Sequence, residues 1–448
     1  MTKNTLLVLA LLPLLATSAG CSKSNDVSNT TKKQTPTLPD DGTDGNNKGN
    51  KGSSSGEPTD MTPTDMTPTD MKPVQSKPLP PDAFPRAMLQ GGPVVKKPKV
   101  QVITFKGDTL APQIEDFSKK MDTSTYWAAM AAEYGIGNLT SKTPIRLNES
   151  APANLSLEDI NTFLQKKLDG TDPKFGTPDS DTVYALYYPS GTVINDAQLG
   201  KSCQYYLGFH FETAVGSTKI GYAVMPRCHG SPGQTDVDVL TETASHEYFE
   251  WASDPFPESD TAWSGVDDDH YMFEKLFLGE LGDLCVLPGV PTIKPGDLGY
   301  IVQRQWSNKA SQAGHAPCVP SDPKQPYFQA IPTLTDEVSF RDPQTNRTRQ
   351  SKGLIVPVGQ SKTMDVLIYS DLPMSTPITV SALDVAQNFK GTDPEFECTL
   401  DKTTVLPGDT VKVTVKALTA ATQGQGVVLV AKTSKANVNV WPVLVSNR

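Results

Sequence analysis

The sequence has little histidine and no long stretch of basic residues. Its 448 residues include five histidines, and 50 acidic residues outnumber 40 basic ones, which gives a formal net charge of −10. No run of lysine and arginine supplies the basic patch that contacts a phosphate backbone. The composition therefore excludes a nucleic-acid partner and predicts an acidic, solvated surface.

Long apolar stretches are missing after the N-terminus. Met1–Gly20 contains an apolar run from Leu6 to Ala16, which is typical of an export signal rather than of a membrane span. The sequence Ser18-Ala19-Gly20-Cys21 resembles a bacterial lipobox, which implies a lipid on Cys21 and attachment to the outer membrane. Cleavage without lipidation, followed by secretion, is the alternative. No later segment is apolar over the length that a bilayer requires.

Residues 21–98 contain almost no apolar clusters and are rich in Asn, Asp, Gly, Ser, Thr, Lys and Pro. Such a segment cannot bury enough surface to offset the entropy lost on ordering. Within it, Pro58-Thr59-Asp60-Met61-Thr62 is followed by two near-copies, and the prolines favour an extended chain. We therefore expect a disordered tether over residues 21–98.

Cysteine is scarce but informative. Five of the six cysteines remain once Cys21 is assigned to the lipid, and export makes disulfide bonds the expected state of the others. Four of them lie in one region and allow three pairings. The simplest pairing joins Cys203 to Cys228 and Cys285 to Cys318, and it leaves Cys398 as a buried apolar residue.

The remaining chain divides into two regions by its pattern of apolar residues. Residues 99–328 mix helical and strand patterns, whereas residues 329–448 show short alternating strands separated by turns and no helix. We expect an α+β protein, with a zincin-like mixed α/β domain followed by an all-β immunoglobulin-like sandwich. The sandwich is expected to be a spacer or a weak adhesion module. The predicted helices span Ile114–Tyr134, with a break near Asp122, and Ser156–Gly170, and the predicted strands of the first domain span Thr182–Tyr188, Tyr205–Thr213 and Lys219–Met225.

One helix carries the residues of a candidate metal site. Its pattern begins near Asp236 or Asp238 and must end by Asp254, because Pro255 disfavours a helical conformation at the residue before it. His246 and Glu250 are four residues apart and therefore lie on one face, where they can bind one ion. This is the H-E-x-x-H pattern of metallohydrolases with Glu in place of the second His, and Glu247 is the catalytic base of that pattern.

A catalytic zinc ion needs a third protein ligand besides these two. Asp254 lies about 12 Å along the helix from His246, which is too far for one ion. Glu280 resembles the downstream glutamate of gluzincin metalloproteases, and Asp283 resembles their supporting carboxylate. We predict Glu280 as the third ligand, with Asp283 as its nearest rival and with His210 and His270 as further candidates.

The expected cofactor is Zn²⁺, with Ca²⁺ as the alternative because carboxylates also suit hard cations. With zinc, the expected reaction is hydrolysis, foremost of peptide bonds, in which Glu247 moves the proton of the attacking water. Tyr271 and His270 are weaker candidates as donors to the oxyanion. The alternative is a non-catalytic surface protein that binds a cell-envelope polymer, a glycan or a protein. A monomer is expected in either case.

Several short motifs in one order resemble the EXORDIUM-like, phosphate-induced family and its bacterial relatives. The resemblance covers about Val100 to Pro320 and implies a secreted or cell-surface protein; in plants the family is associated with growth responses, and it has no settled enzymatic activity. Tyr248, Phe249 and Trp251 are bulkier than the family pattern, which implies a narrower cleft. The matching motifs are Tyr126-Trp127, Glu133-Tyr134-Gly135, Tyr187-Tyr188-Pro189, Ser202-Cys203, Gly208-Phe209-His210, Met225-Pro226-Arg227-Cys228, Ser245-His246-Glu247 with Glu250, Asp254-Pro255, Gly279 to Cys285, and Trp306-Ser307-Asn308.

Overall fold

The computed structural model describes residues 72–448 except 198, 287–290, 343–346 and 423–424. The predicted export signal, the lipid site Cys21 and most of the pentad repeats lie outside the described residues. The helices are α1 (Ala111–Met121), α2 (Thr125–Ala131), α3 (Leu157–Lys167), α4 (Asp236–Ser253), α5 (Tyr271–Phe277), α6 (Asn308–Gln312) and α7 (Val385–Lys390).

The strands divide at residue 328 into a first and a last set. The first set is β1 (Ala87–Leu89), β2 (Lys99–Thr104), β3 (Thr140–Ser141), β4 (Ile145–Arg146), β5 (Asn154–Leu155), β6 (Thr182–Tyr188), β7 (Val193–Asp196), β8 (Gly200–Lys201), β9 (Phe209–Val215), β10 (Thr218–Pro226), β11 (Trp263–Val266), β12 (Thr292–Ile293), β13 (Val302–Gln303), β14 (Gln305–Trp306) and β15 (Cys318–Val319). The last set is β16 (Phe328–Pro332), β17 (Asp336–Arg341), β18 (Thr348–Ile355), β19 (Ser361–Ser370), β20 (Ile378–Asp384), β21 (Phe396–Leu400), β22 (Thr404–Val405), β23 (Thr410–Ala417), β24 (Gly426–Lys432) and β25 (Val438–Ser446).

A mixed sheet organises the first region. Its order is β3-β2-β6-β10-β9, with β4 also paired to β2; β2, β6 and β10 run parallel, and β9 is an antiparallel edge strand. Every residue of β6 is buried, as expected for a strand covered on both faces. Alternate residues of β6 enter two different hydrophobic clusters, one shared with α1, α2 and α4 and the other with α3. The helices therefore lie in two layers on either side of the sheet.

Two antiparallel-rich sheets form the last region. One has the order β16-β19-β23-β21, and the other has the order β17-β18-β25-β24-β20-β22. Apolar residues of both sheets belong to one hydrophobic cluster, which continues into the first region. Helix α5 contacts the second sheet, where the rings of Tyr271 and Phe340 stack at 3.6 Å and those of Phe273 and Trp441 meet edge to face at 5.4 Å. The broad α+β class is confirmed, and the zincin-like and immunoglobulin-like assignments stay predictions.

The predicted tether extends too far toward the C-terminus. Val74 and Met374 exchange backbone hydrogen bonds of 2.9 Å in both directions, and the hydroxyl of Ser76 donates to the carbonyl of Ile368 at 3.0 Å. Strand β1 pairs with β11. The composition of residues 72–98 gave no sign of this order because every one of these partners lies more than a hundred residues away in the chain.

A helix in the last region also corrects the sequence analysis. Helix α7 interrupts the succession of strands after β20. The side chain of Asp384 accepts the backbone N–H of Gln387 at its N-terminus, and Gly391 ends it in the left-handed region at φ 65°. An aspartate N-cap and a glycine after the last turn are recognisable start and stop signals for a helix. Because strand patterns flank α7 on both sides, these two signals were not recognised in the sequence.

Both predicted disulfide bonds are present, Cys203–Cys228 and Cys285–Cys318. Cys398 is free and half-buried. Stable disulfides form in oxidising compartments, so they indicate a protein of the cell exterior rather than of the cytoplasm. In the described part of the chain, no helix combines the length and the apolar character that crossing a membrane requires.

Candidate metal centre

Helix α4 begins and ends at strong local signals. The hydroxyl of Thr235 accepts the backbone N–H of Asp238, and the Asp238 carboxylate accepts the backbone N–H of Thr235, which forms a capping box. The helix ends at Ser253, one residue before the predicted limit, and Pro255 follows the capping residue Asp254. These signals place His246 and Glu250 on consecutive turns of one face.

The centre of α4 lies directly against the sheet because glycines allow a close approach. A Cβ on Gly221 of β10 would lie 2.1 Å from Nε1 of Trp251, and a Cβ on Gly208, just before β9, would lie 2.4 Å from Cγ2 of Thr243. Both clashes exceed what packing tolerates, so glycine is required at both positions. Every residue from Thr243 to Ser253 is consequently buried, so the last three turns of the helix are enclosed on all sides.

Two histidines and four carboxylates meet where α4 faces β9 and the turn after α5. Five of these side chains supply donor atoms to two groups in which all members lie within 4.8 Å of one another, one containing His246, Glu250 and Asp283 and the other His210, Glu250 and Glu280. Glu250 is common to both groups. We call the set "the cluster"; it consists of His210, His246, Glu247, Glu250, Glu280 and Asp283.

The pair distances in the cluster match those between ligands of one ion. Nε2 of His246 lies 3.0 Å from Oε2 of Glu250 and 3.7 Å from Oδ1 of Asp283. Nδ1 of His210 lies 3.6 Å from the same Oε2. Two tetrahedral zinc ligands, each about 2.1 Å from the metal, are about 3.4 Å apart. The group of His246, Glu250 and Asp283 is therefore spaced for coordination with little rearrangement, and the donor atoms of the His210 group lie within 4.8 Å of one another.

The two oxygens of Glu250 have different partners. Oε1 accepts the backbone N–H groups of Gly282 and Asp283 at 3.1 and 3.0 Å. Oε2 faces the histidines and accepts no such backbone bond. The turn that follows α5 thus orients the carboxylate and leaves one oxygen for a cation.

Gln303 on β13 orients the ring of His246. Its side-chain Oε1 lies 3.1 Å from Nδ1 of His246, and its Nε2 donates to the carbonyl of Gly282 at 2.7 Å. Metal-binding histidines commonly hydrogen-bond through the second ring nitrogen in this way. In the sequence, a cleft position and an ordinary buried polar position explain Gln303 equally well.

The electrostatics of the cluster favour positive charge near the histidines. Burial lowers the pKa of His210, but the carboxylates of Glu280, Glu247 and Glu250 outweigh it and raise that pKa to about 10. Burial and the charge of Glu250 raise the pKa of Glu280 to about 8, with His210 opposing. Burial also raises the pKa of Glu247 and of Asp283. Among the described residues, no lysine or arginine forms an ion pair with any of these carboxylates.

The structure arranges the predicted ligands differently from the sequence analysis. Asp283, the rival third ligand, groups with His246, whereas Glu280 lies against Nε2 of His210 at 3.8 Å. Asp254 belongs to neither group; its Oδ1 accepts the backbone N–H of Ala262 at 2.8 Å. The helical distance argument against Asp254 agrees with this position.

The two residues named as oxyanion donors have structural partners elsewhere. The ring of Tyr271 stacks on Phe340, and Nδ1 of His270 lies 2.8 Å from Oδ1 of Asp267. Neither residue belongs to the two donor groups. Their role at the site therefore has no support from the packing.

We expect Gly282→Ala to weaken metal binding. The residue has helical backbone angles, φ −76° and ψ −45°, so alanine is tolerated by the backbone, but its Cβ would lie 2.6 Å from Nδ1 of His246 and 2.7 Å from Oε1 of Glu250. Displacement of supporting groups costs about 10–100-fold in metal affinity, and a loss in that range is expected in a zinc titration. Gly296→Ala is the matched control, because no atom lies within 4 Å of its Cβ position. Equal affinity of the two variants would contradict the prediction.

Comparisons with known proteins identify no family. No family model matches the sequence, and no curated protein matches it. Among solved structures, domains 4 and 5 of the S-layer protein SbsC align over 26% of this chain and 55% of that chain, with 16% identity and a TM-score of 0.16. The β-glucosidase from Listeria innocua aligns over 81% of this chain and 48% of that chain, with 9% identity and a TM-score of 0.16. Both alignments span about half of the matched protein, and TM-scores this low carry no inference about fold or function.

Proposed function

We propose that the chain is an exported, zinc-dependent hydrolase whose metal ion is bound by His246, Glu250 and Asp283. The observation that carries the proposal is the buried cluster of acids and histidines without a lysine or arginine partner among the described residues. Buried charges are costly unless they are paired or coordinate a metal. Since no lysine or arginine among the described residues pairs with these carboxylates, a divalent cation supplies the positive charge that balances them.

The donor set supports zinc over calcium. Each group contains a histidine nitrogen. Imidazole suits zinc and similar transition metals, whereas calcium takes six to eight oxygen ligands. Three protein ligands also leave a fourth tetrahedral position for water, as in catalytic rather than structural zinc sites.

The residues of α4 supply the remaining requirement for hydrolysis. A bound divalent ion lowers the pKa of a coordinated water and polarises a carbonyl group. Glu247 follows His246 directly and belongs to neither donor group, so its carboxylate is left to accept the proton of the water and pass it to the leaving group. Glu250 and Asp283 both face Nε2 of His246, the nitrogen that would bind the ion. Peptide bonds are the proposed substrate class.

A second candidate function follows from the burial of the cluster. His246 is 7% exposed and Glu250 2% exposed, and the side chain of Glu280 is 21% exposed. A surface groove of about 860 Å³ lies elsewhere, near Gly170 and Gly216, and no member of the cluster lines it. This burial supports a metal ion that stabilises a non-catalytic surface protein, which would bind its partner through another face.

Metal analysis and a hydrolysis assay on the full-length protein test the proposal. We expect at least one equivalent of bound zinc, and we expect cleavage of casein or a peptide library that stops on chelation and returns with zinc. Bound zinc without hydrolysis, together with a lower melting temperature after chelation, would favour the second candidate. Protein that binds no metal in a zinc titration would overturn both.

The location of the protein is proposed from the sequence and the disulfides together. The two disulfides support an exported protein. The lipobox-like sequence before Cys21 supports a lipid anchor in the outer membrane, and the resemblance to the EXORDIUM-like family supports a position at the cell surface.

A further inference from the structure

The buried histidine His210 on β9 has no role in a site built from His246, Glu250 and Asp283. It is 4% exposed, and its Nε2 has no hydrogen-bond partner. An imidazole nitrogen that is buried without a partner loses its hydration without compensation. This nitrogen lies 3.8 Å from Oε1 of Glu280, and the opposite nitrogen faces Glu247 and Glu250 at 3.5 and 3.6 Å.

We infer that the cluster binds two divalent cations that share Oε2 of Glu250. The first ion is that of the proposed function, on which this inference rests; the second is bound by His210, Glu250 and Glu280. The two histidines belong to different donor groups, and Glu250 is the one residue in both. Oε2 of Glu250 therefore lies between the two proposed sites. Each site contains one histidine nitrogen and one carboxylate besides that of Glu250.

Glu250 is oriented to bridge through a single oxygen. Its Oε1 already accepts two backbone N–H groups, so the lone pairs of that oxygen are used. Oε2 retains two lone pairs and lies 3.0 Å from Nε2 of His246. His210 offers one ring nitrogen to the second ion, and the donor atoms of His210, Glu250 and Glu280 lie within 4.8 Å of one another. Two-metal hydrolytic sites have ions about 3.5–4 Å apart, a spacing that one bridging oxygen provides.

Two divalent cations also balance the charge of the cluster when its carboxylates are ionised and its histidines are neutral. Glu247, Glu250, Glu280 and Asp283 carry four negative charges when all are ionised, and the histidines are neutral when they bind metal. One divalent ion cancels half of this charge and leaves two buried carboxylates without a counterion. Two divalent ions cancel it fully, which removes the cost of burying unpaired charge.

The stoichiometry of zinc in the full-length protein tests the inference. We expect two equivalents in the unaltered protein and one in Glu280→Gln, because the amide keeps the shape of the side chain and loses its charge. His210→Ala should also bind one equivalent. His229→Ala is the control: His229 is exposed and lies 2.9 Å from Asp236, outside the cluster, so two equivalents are expected.

The outcomes separate this inference from the proposed function. One equivalent in the unaltered protein would overturn the second ion and leave the hydrolase site in place. No bound zinc would overturn both. Two equivalents that persist in Glu280→Gln and in His210→Ala would place the second ion elsewhere and overturn the inference. If His210→Ala does not fold, as judged by circular dichroism, Glu280→Gln alone decides.

Discussion

Glu247→Gln is expected to lower the kcat of peptide hydrolysis by about 10²- to 10⁴-fold, the usual contribution of a positioned general base. The substitution replaces one carboxylate oxygen by an amide nitrogen, which cannot accept the proton of the attacking water. Glu247 belongs to neither donor group, so zinc content should remain that of the unaltered protein. The measurement is the rate of peptide cleavage at saturating substrate together with zinc content.

Glu274→Gln provides the matched control for that experiment. Glu274 is also buried, 8% exposed, and accepts the backbone N–H of Val266 at 3.1 Å, but it lies outside the cluster. Its replacement should leave the hydrolysis rate within a few-fold of the original. An unchanged rate in Glu247→Gln would remove Glu247 from the mechanism, and an equal loss in both variants would assign the effect to stability.

Glu250→Gln is expected to abolish metal binding at both positions. The amide oxygen can still accept the N–H groups of Gly282 and Asp283, so the turn after α5 keeps its orientation. The amide nitrogen then occupies the position of Oε2 between the histidines, and it cannot coordinate a cation. Loss of a direct ligand should exceed the roughly 10–100-fold loss of affinity that follows removal of a supporting group.

Zinc titration by calorimetry is the direct measurement for Glu250→Gln, again with Glu274→Gln beside it. Hydrolysis should fall to background together with metal content. Retention of one full equivalent of zinc in Glu250→Gln would show that the ions do not share this carboxylate. A far-ultraviolet circular dichroism spectrum like that of the unaltered protein would show that the loss is not one of folding.

The helix that carries the candidate site could be predicted closely from the sequence. Its start at Asp236 and its end at Ser253 agree with the expected limits. Both limits depend on local chemistry, a capping box and a following proline, which a sequence displays directly. The same is true of α3, whose predicted start at Ser156 is the residue that caps it.

The arrangement of ligands around that helix could not be predicted in the same way. His210 lies on an edge strand, and only the pairing of β9 with β10 brings it opposite α4. Asp283, and not Glu280, groups with His246. This depends on the backbone of the turn that contains both acids, where the N–H groups of Gly282 and Asp283 donate to Glu250. Neither contact produces a periodic pattern that can be recognised in the sequence.

The attachment of residues 74–76 to the last region has a mechanical consequence. A pulling force applied at residue 72 acts first on the paired backbone hydrogen bonds between Val74 and Met374. It also acts on the hydrogen bonds that Ser76 makes with Ile368 and Ser370. The pairing of β1 with β11 comes next, and the strands and helix of the cluster follow only later in the chain. A molecule held from its N-terminal side therefore transfers load into the last β-sheets, and the ion-binding residues are shielded from the pull.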